Sequence, residues 1–197
     1  MSSPKGISVF PARQQFSSIA RNLGSPAPGA ADELVHNGDF EQGVKGFRTA
    51  YRHSPGNIGN ALTFAIVRNP REVHHSAASF GDHTSGTGFM IAVNGGNAVD
   101  SVLWGQTVAV RPGGEYSFSL WVTSWYPDAP AELEVRINGK PLGRILASSR
   151  CGEWKEFRAK WHSGGDKQAA IEIFNFTTQI SGNDFAIDDI SLRGPRP

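Results

Sequence analysis

Two acidic clusters mark the ends of the patterned part of the chain. Asn37-Gly38-Asp39-Phe40-Glu41 follows the first apolar run, and Asp184, Asp188 and Asp189 stand in the Asn183–Leu192 stretch, shortly before the last residue. Carboxylates at a turn and on a terminal strand suit a hard cation, provided that the fold brings them together. Ca²⁺ takes roughly six to eight oxygens and needs neither His nor Cys. The competing reading is that Asp39 and Glu41 cap a turn and that Asp188 sits in a salt bridge.

Other chemistry-bearing residues are less organised. Asp82-His83-Thr84 lies in a Ser/Gly-rich loop, where Asp and Thr side chains characteristically close local turns. No motif supplies a converging base, nucleophile and orienting partner, so an enzyme is not expected. His74 and His75 are adjacent, which on an extended chain sends them to opposite faces, and no Cys or His spacing supports tetrahedral zinc. Cys151 is the sole cysteine and reads as a small structural residue.

The elements that must position these residues are strands. The chain has 197 residues, 39% hydrophobic and 19% charged, with 23 Gly and 12 Pro, which suits many turns between short strands. A net charge of +1 gives no electrostatic footprint for nucleic acid, and no apolar run is long enough to span a membrane. No secretory signal is visible at the N-terminus. Residues 1–31 are rich in Pro and Ser, carry Lys5, Arg13 and Arg21 but no acid, and read as an arm and linker. Phe16, Ile19 and Leu23 give that arm one short amphipathic helix.

From residue 33 the period is two. Tyr116, Phe118, Leu120 and Val122 alternate with Ser117, Ser119, Trp121 and Thr123; Leu133, Val135 and Ile137 with Glu132, Glu134 and Arg136; Phe157, Ala159 and Trp161 with Glu156, Arg158 and Lys160. Further strands are expected near 33–36, 46–53, 61–68, 88–94, 102–110, 142–147, 168–176 and 184–192. Asn138-Gly139 should close a tight hairpin. About eleven short strands and no core helix predict an all-β sandwich over 32–197, of jelly-roll type.

Four stretches carry a family resemblance: Leu34–Glu41, Phe80–Met90, Trp104–Val108 running on to Tyr116–Val122, and Asn183–Leu192. Together they resemble the galactose-binding-like jelly rolls of carbohydrate-binding module families 4 and 9. The resemblance implies a non-catalytic, glycan-binding module with a structural Ca²⁺ joining the first strand to the last. By motif, Glu41 and Asp188 would give side-chain oxygens, with carbonyls from Asp39 and from the Ser85–Gly88 loop. Asp189 is expected to point the other way along the strand.

Sugars are held by flat aromatic faces and bidentate polar groups. Trp121 falls on the polar register of its strand, and Glu134 with Arg136 is expected beside it as a hydroxyl-reading pair. Phe174 shares a face with Glu172 and Phe176, and Trp125 and Tyr126 follow Trp121 in a loop. The expected partner is therefore a polysaccharide, outside the cell, on a cell surface or on a virion. The rival reading is a structural or attachment subunit of a virion, tail, injection apparatus or surface layer, docked to a protein assembly through residues 1–31.

Overall fold

The computed structural model describes Met1 and residues 31–197; the predicted arm with its short helix otherwise lies outside the described residues. Eleven strands form, and the described residues contain no α-helix, only one 3-10 turn at Pro70–Glu72 that Asn69 caps. The strands are β1 (Asp32–Glu33), β2 (Arg52–His53), β3 (Thr63–Val67), β4 (Met90–Asn94), β5 (Val102–Ala109), β6 (Glu115–Ser124), β7 (Glu132–Ile137), β8 (Lys140–Leu146), β9 (Lys155–His162), β10 (Gln168–Asn175) and β11 (Asp184–Gly194). One sheet has seven strands in the order β2-β3-β4-β11-β6-β9, with β1 also on β11; the other runs β5-β10-β7-β8. The all-β sandwich read from the alternating pattern is the fold.

The alternation places the core. Phe118, Leu120 and Val122 of β6, Phe185 and Ile187 of β11, Leu133, Val135 and Ile137 of β7, and Ile171 and Ile173 of β10 are all buried between the two sheets. Trp104 joins them from β5. Asn138 and Gly139 take positive φ (52° and 72°), the conformation of a two-residue hairpin turn that Asn-Gly favours.

A second apolar cluster sits on the outside of the seven-stranded sheet. Ala65, Val67, Met90, Ala92 and Ala186 are covered there by Ile58, Val73, Ala77 and Trp125. The long connection between β3 and β4 thus roofs part of that sheet, and its far end, residues 82–89, reaches β11.

β11 changes partners along its length. Its first half pairs with β4 (Asp184↔Asn94 to Ile187↔Ile91), and its end pairs with β1 (Asp32↔Gly194). Between them the register against β6 slips from Asp188↔Trp121 to Ser191↔Ser119, and Asp189 adopts φ +48°. Such a bulge re-aims side chains and leaves the ladder open locally. Gly38 fills the opening: its carbonyl accepts from Ile190 N (3.0 Å), and a Cβ there would lie 1.9 Å from Ile190 O, so only glycine allows this approach.

Candidate functional site

The bulge, the 37–41 turn and the 82–89 loop meet at an acidic cavity lined by Asp39, Glu41, Asp82, Ser85, Gly88 and Asp189. Glu41 Oε1 accepts from Phe89 N (2.6 Å), and Asp39 Oδ1 from Glu41 N (3.4 Å). Asp82 accepts from Ser85 N (2.9 Å) and Gly88 N (2.7 Å), so it does close the local turn its loop composition predicts. Burial, its largest influence, raises the Asp82 pKa, but the hydrogen bonds from Ser85, Gly88 and Thr87 outweigh this and hold it below the usual value. A Cβ on Gly88 would meet Glu41 Oε1 at 2.4 Å and Asp82 Oδ2 at 3.0 Å, which places those two carboxylates beside one another.

Asp188 lies beneath this cavity, 1% exposed. Its oxygens accept from His83 N (2.9 Å) and Asp189 N (2.9 Å), and no ion pair with a basic side chain offsets its charge among the described residues. Burial, followed by the neighbouring Asp189 charge, pushes its pKa to about 8. The salt-bridge reading of Asp188 therefore fails. Asp189 departs from the expectation that it points away: with the bulge at this point, its Oδ2 meets His83 Nδ1 (2.6 Å) and the Thr84 hydroxyl, so both acids reach the same loop.

A buried acid beside other carboxylates suits a hard cation. Arg68 also lines the cavity, but donates to Thr87 O and lies over Phe89 at 4.2 Å. Among the described residues, no three His, Cys, Asp or Glu side chains stand close enough to form a finished metal centre.

The other predicted binding residues separate. Trp121 is on the outer face of the seven-stranded sheet, between Asp188 of β11 and Glu156 of β9. Glu134 and Arg136 are not its neighbours, because β7 belongs to the opposite sheet, between β8 and β10. The His83 ring stacks on Trp121, centroids 3.8 Å apart at 16°, and turns an edge toward Trp154. Trp125 is no surface platform: it is fully buried, its Nε1 donates to Val93 O (2.9 Å), and His74 packs on it at 4.9 Å. Tyr126 packs partly buried against the same second cluster.

Glu134, Arg136 and Phe174 do come together, on the outer face of the four-stranded sheet. Glu134 is 4% exposed and accepts from Arg136 Nε (2.6 Å) through one oxygen and from Arg144 Nε (2.7 Å) through the other. Burial, its largest influence, raises its pKa, while the two guanidiniums more than reverse that and hold it lowered. Arg136 lies over Phe174 at 4.3 Å, and Arg144 over Phe176 at 3.9 Å. Phe174 is thus a support beneath a guanidinium rather than an open platform. Arg48, whose backbone bridges Gly105 at the edge of β5, adds an ion pair to Glu172 opposite Arg136.

Arg144 and Arg48 were missed by the sequence reading. Arg144 has no signal in the period-two pattern, because a register shift in the β7–β8 hairpin sets it opposite Glu134. Arg48 lies outside the regular strands and joins the edge of the four-stranded sheet by a single bridge, which leaves no sequence spacing.

No protein-family profile and no curated protein matches the sequence. Solved structures do match. The CBM22-1 xylan-binding domain of Paenibacillus barcinonensis Xyn10C aligns at a TM-score of 0.55 and 13% identity, over 87% of this chain and 99% of that one. The fold shared with that domain is a jelly roll. A family 61 module in complex with beta-1,4-galactotriose aligns at 0.54 and 14%, over 82% and 97%. A Stig cyclase from Fischerella sp. TAU aligns at 0.58 and 10%, over 85% and 99%, so the same sandwich also serves chemistry other than sugar binding. At these identities the likeness concerns the fold and not the site.

Proposed function

We infer that this jelly roll is a non-catalytic glycan-binding module whose ligand lies on the outer face of the four-stranded sheet. The observation that supports it is the guanidinium pair. Arg136 and Arg144 are held by one buried carboxylate and lie over two phenyl rings, with both guanidiniums partly exposed and Arg144 Nη1 also reaching Glu132 (3.3 Å). A planar, pre-set fork donates two parallel hydrogen bonds, which matches adjacent hydroxyls on a sugar ring. Fixing it before binding removes much of the ordering cost that weakens surface recognition. Arg48 and Glu172 extend the row across the sheet, and Phe176, like Phe174, supports a guanidinium from beneath. No bond breaking is required of any residue in this set.

The xylan-binding and galactotriose-bound neighbours share the fold and favour the same substrate class. The proposed location is extracellular, on a cell surface or on a virion. Among the described residues, no helix is long and apolar enough to cross a membrane.

A structural Ca²⁺ belongs to the same reading. The side chains of Glu41, Asp82 and Asp188, with oxygens of Asp39, Ser85 and Gly88, would hold it, and the ion would offset the buried Asp188 charge and tie the 37–41 turn to β11. The structural or attachment role through residues 1–31 stays a second proposal, with its residues outside those described.

A glycan array of wild type and Arg136→Ala, both checked for an unchanged fold, tests the reading. Wild type should retain neutral polysaccharides and the variant should retain them markedly less; an array on which wild type stays silent, or on which the two proteins bind equally, contradicts it.

A further inference from the structure

The seven-stranded sheet carries a second cleft, on the opposite side of the sandwich from Arg136. It has a volume of about 480 Å³, within the roughly 300–1,000 Å³ usual for small-molecule sites. Its floor is the outward row of β6: Ser117, Ser119 and Trp121. The register sets the walls. Ser119 stands between Ser191 of β11 and Arg158 of β9; Ser117 has Arg193 on its β11 side; Trp121 has Glu156 on its β9 side. Two small residues followed by an indole make a trough with one aromatic end. Half-buried Trp121 is fixed there by the parallel His83 ring, itself held by Asp188 and Asp189.

The donor and acceptor inventory identifies the ligand chemistry. Both walls carry a guanidinium paired to a carboxylate: Arg158 with Glu156, and Arg193 with Glu33, which also accepts from the Ser191 hydroxyl. Among the described residues, no hydrogen bond engages the hydroxyls of Ser117 or Ser119 on the floor. Donors and acceptors thus alternate around an aromatic plate, which suits a ring bearing several hydroxyls. Glu33, Asp39, Glu156 and Asp189 set four carboxylates against two guanidiniums, so an anionic ligand is disfavoured. A guanidinium on each wall equally disfavours a polycation.

We propose that this cleft is a second binding site, for a short neutral saccharide stacked on Trp121, so that the module can hold glycan on both faces of the sandwich. Its floor and walls share no residue with the Arg136 face, and either site stands without the other. Two weak sites on one rigid body convert part of a second encounter into an intramolecular one when both reach the same polymer.

The test is an NMR titration of ¹⁵N-labelled full-length protein with xylohexaose and with beta-1,4-galactotriose, in wild type and in Arg136→Ala. The Trp121 indole N–H and the amides of Ser117 and Ser119 should shift saturably in both proteins, while the buried Trp104 and Trp125 indoles stay fixed. Ser119→Leu, which fills the trough from an outward position, should weaken these shifts about tenfold or more with the melting temperature retained; Trp121→Ala should abolish the Ser117 and Ser119 shifts. Shifts confined to the four-stranded sheet would overturn this site and leave the Arg136 face standing. Shifts confined to the Trp121 cleft would do the reverse. No shift anywhere, or an equal response of the cleft to spermine, would overturn the saccharide site.

Discussion

The ring of His83 lies parallel on the indole of Trp121, 3.8 Å between centroids and 16° between planes. The same histidine donates its backbone N–H to buried Asp188 and meets Asp189 through Nδ1. One loop residue therefore ties the acidic cavity to an aromatic on the outer sheet face, and whatever settles the acids also settles the indole.

Calcium should stabilise the protein. A ligand that binds only the folded state adds RT ln(1 + [L]/Kd), about 2.7 kcal/mol at a hundredfold excess over Kd. Differential scanning fluorimetry of chelator-treated protein should show a melting temperature several degrees below that of the Ca²⁺-loaded protein. Asp188→Asn should abolish the difference. An identical melting temperature with and without Ca²⁺ would exclude the staple.

Asp184 should make stability depend on pH. It is 8% exposed, its Oδ1 has no hydrogen-bond partner, and burial lifts its pKa from 3.8 to about 7. An acid raised in the fold favours the fold while protonated; the contribution is complete below pH about 4 and is lost as pH rises through about 7. Denaturant melts of wild type and Asp184→Asn from pH 4 to 8 should diverge, with the variant showing the flatter profile. Parallel profiles would refute this.

Removing Glu134 should cost stability as well as binding. Each hydrogen bond to a charged group is worth about 1.5–3 kcal/mol, and Glu134 anchors two guanidiniums that are partly open to solvent, which lowers that figure. Glu134→Gln should lose about 1–3 kcal/mol in urea unfolding and loosen Arg136 over Phe174. A variant as stable as wild type would show that the network adds nothing.

The eleven strands, the Asn138-Gly139 hairpin and the inner face of β6 are legible in the sequence, because alternation reports one buried and one open face directly. Glu41 and Asp188 stand in recognisable stretches, whereas Asp82, which the sequence offers only as a turn-closing residue, joins them through the fold of its loop. Two features were not legible. The slip between Asp188 and Ser191 breaks the two-residue alternation, so Asp189 was placed on the wrong side. Which strands lie side by side is a property of the sheets, and Trp121 was paired with Glu134 and Arg136 although those occupy the other sheet. Trp125 failed for a related reason: the 54–61 and 70–77 segments fold back over the seven-stranded sheet and bury a residue that local sequence leaves in a loop.

Trp125 therefore tests burial against function. Trp125→Ala should destabilise the fold by about 3–5 kcal/mol, as for other large core aromatics. In the fraction that remains folded, glycan affinity should match wild type. Selective loss of binding with full stability would return Trp125 to the ligand surface.

The most direct test of the central claim is calorimetric titration of neutral oligosaccharides into wild type and Arg136→Ala. Binding at the Arg136–Arg144 face predicts measurable heat with wild type and an affinity about tenfold or more lower with the variant, measured well below the variant's melting temperature, which loss of the Glu134 contact should lower. Equal affinity in the two proteins, or no heat with any oligosaccharide, would contradict it.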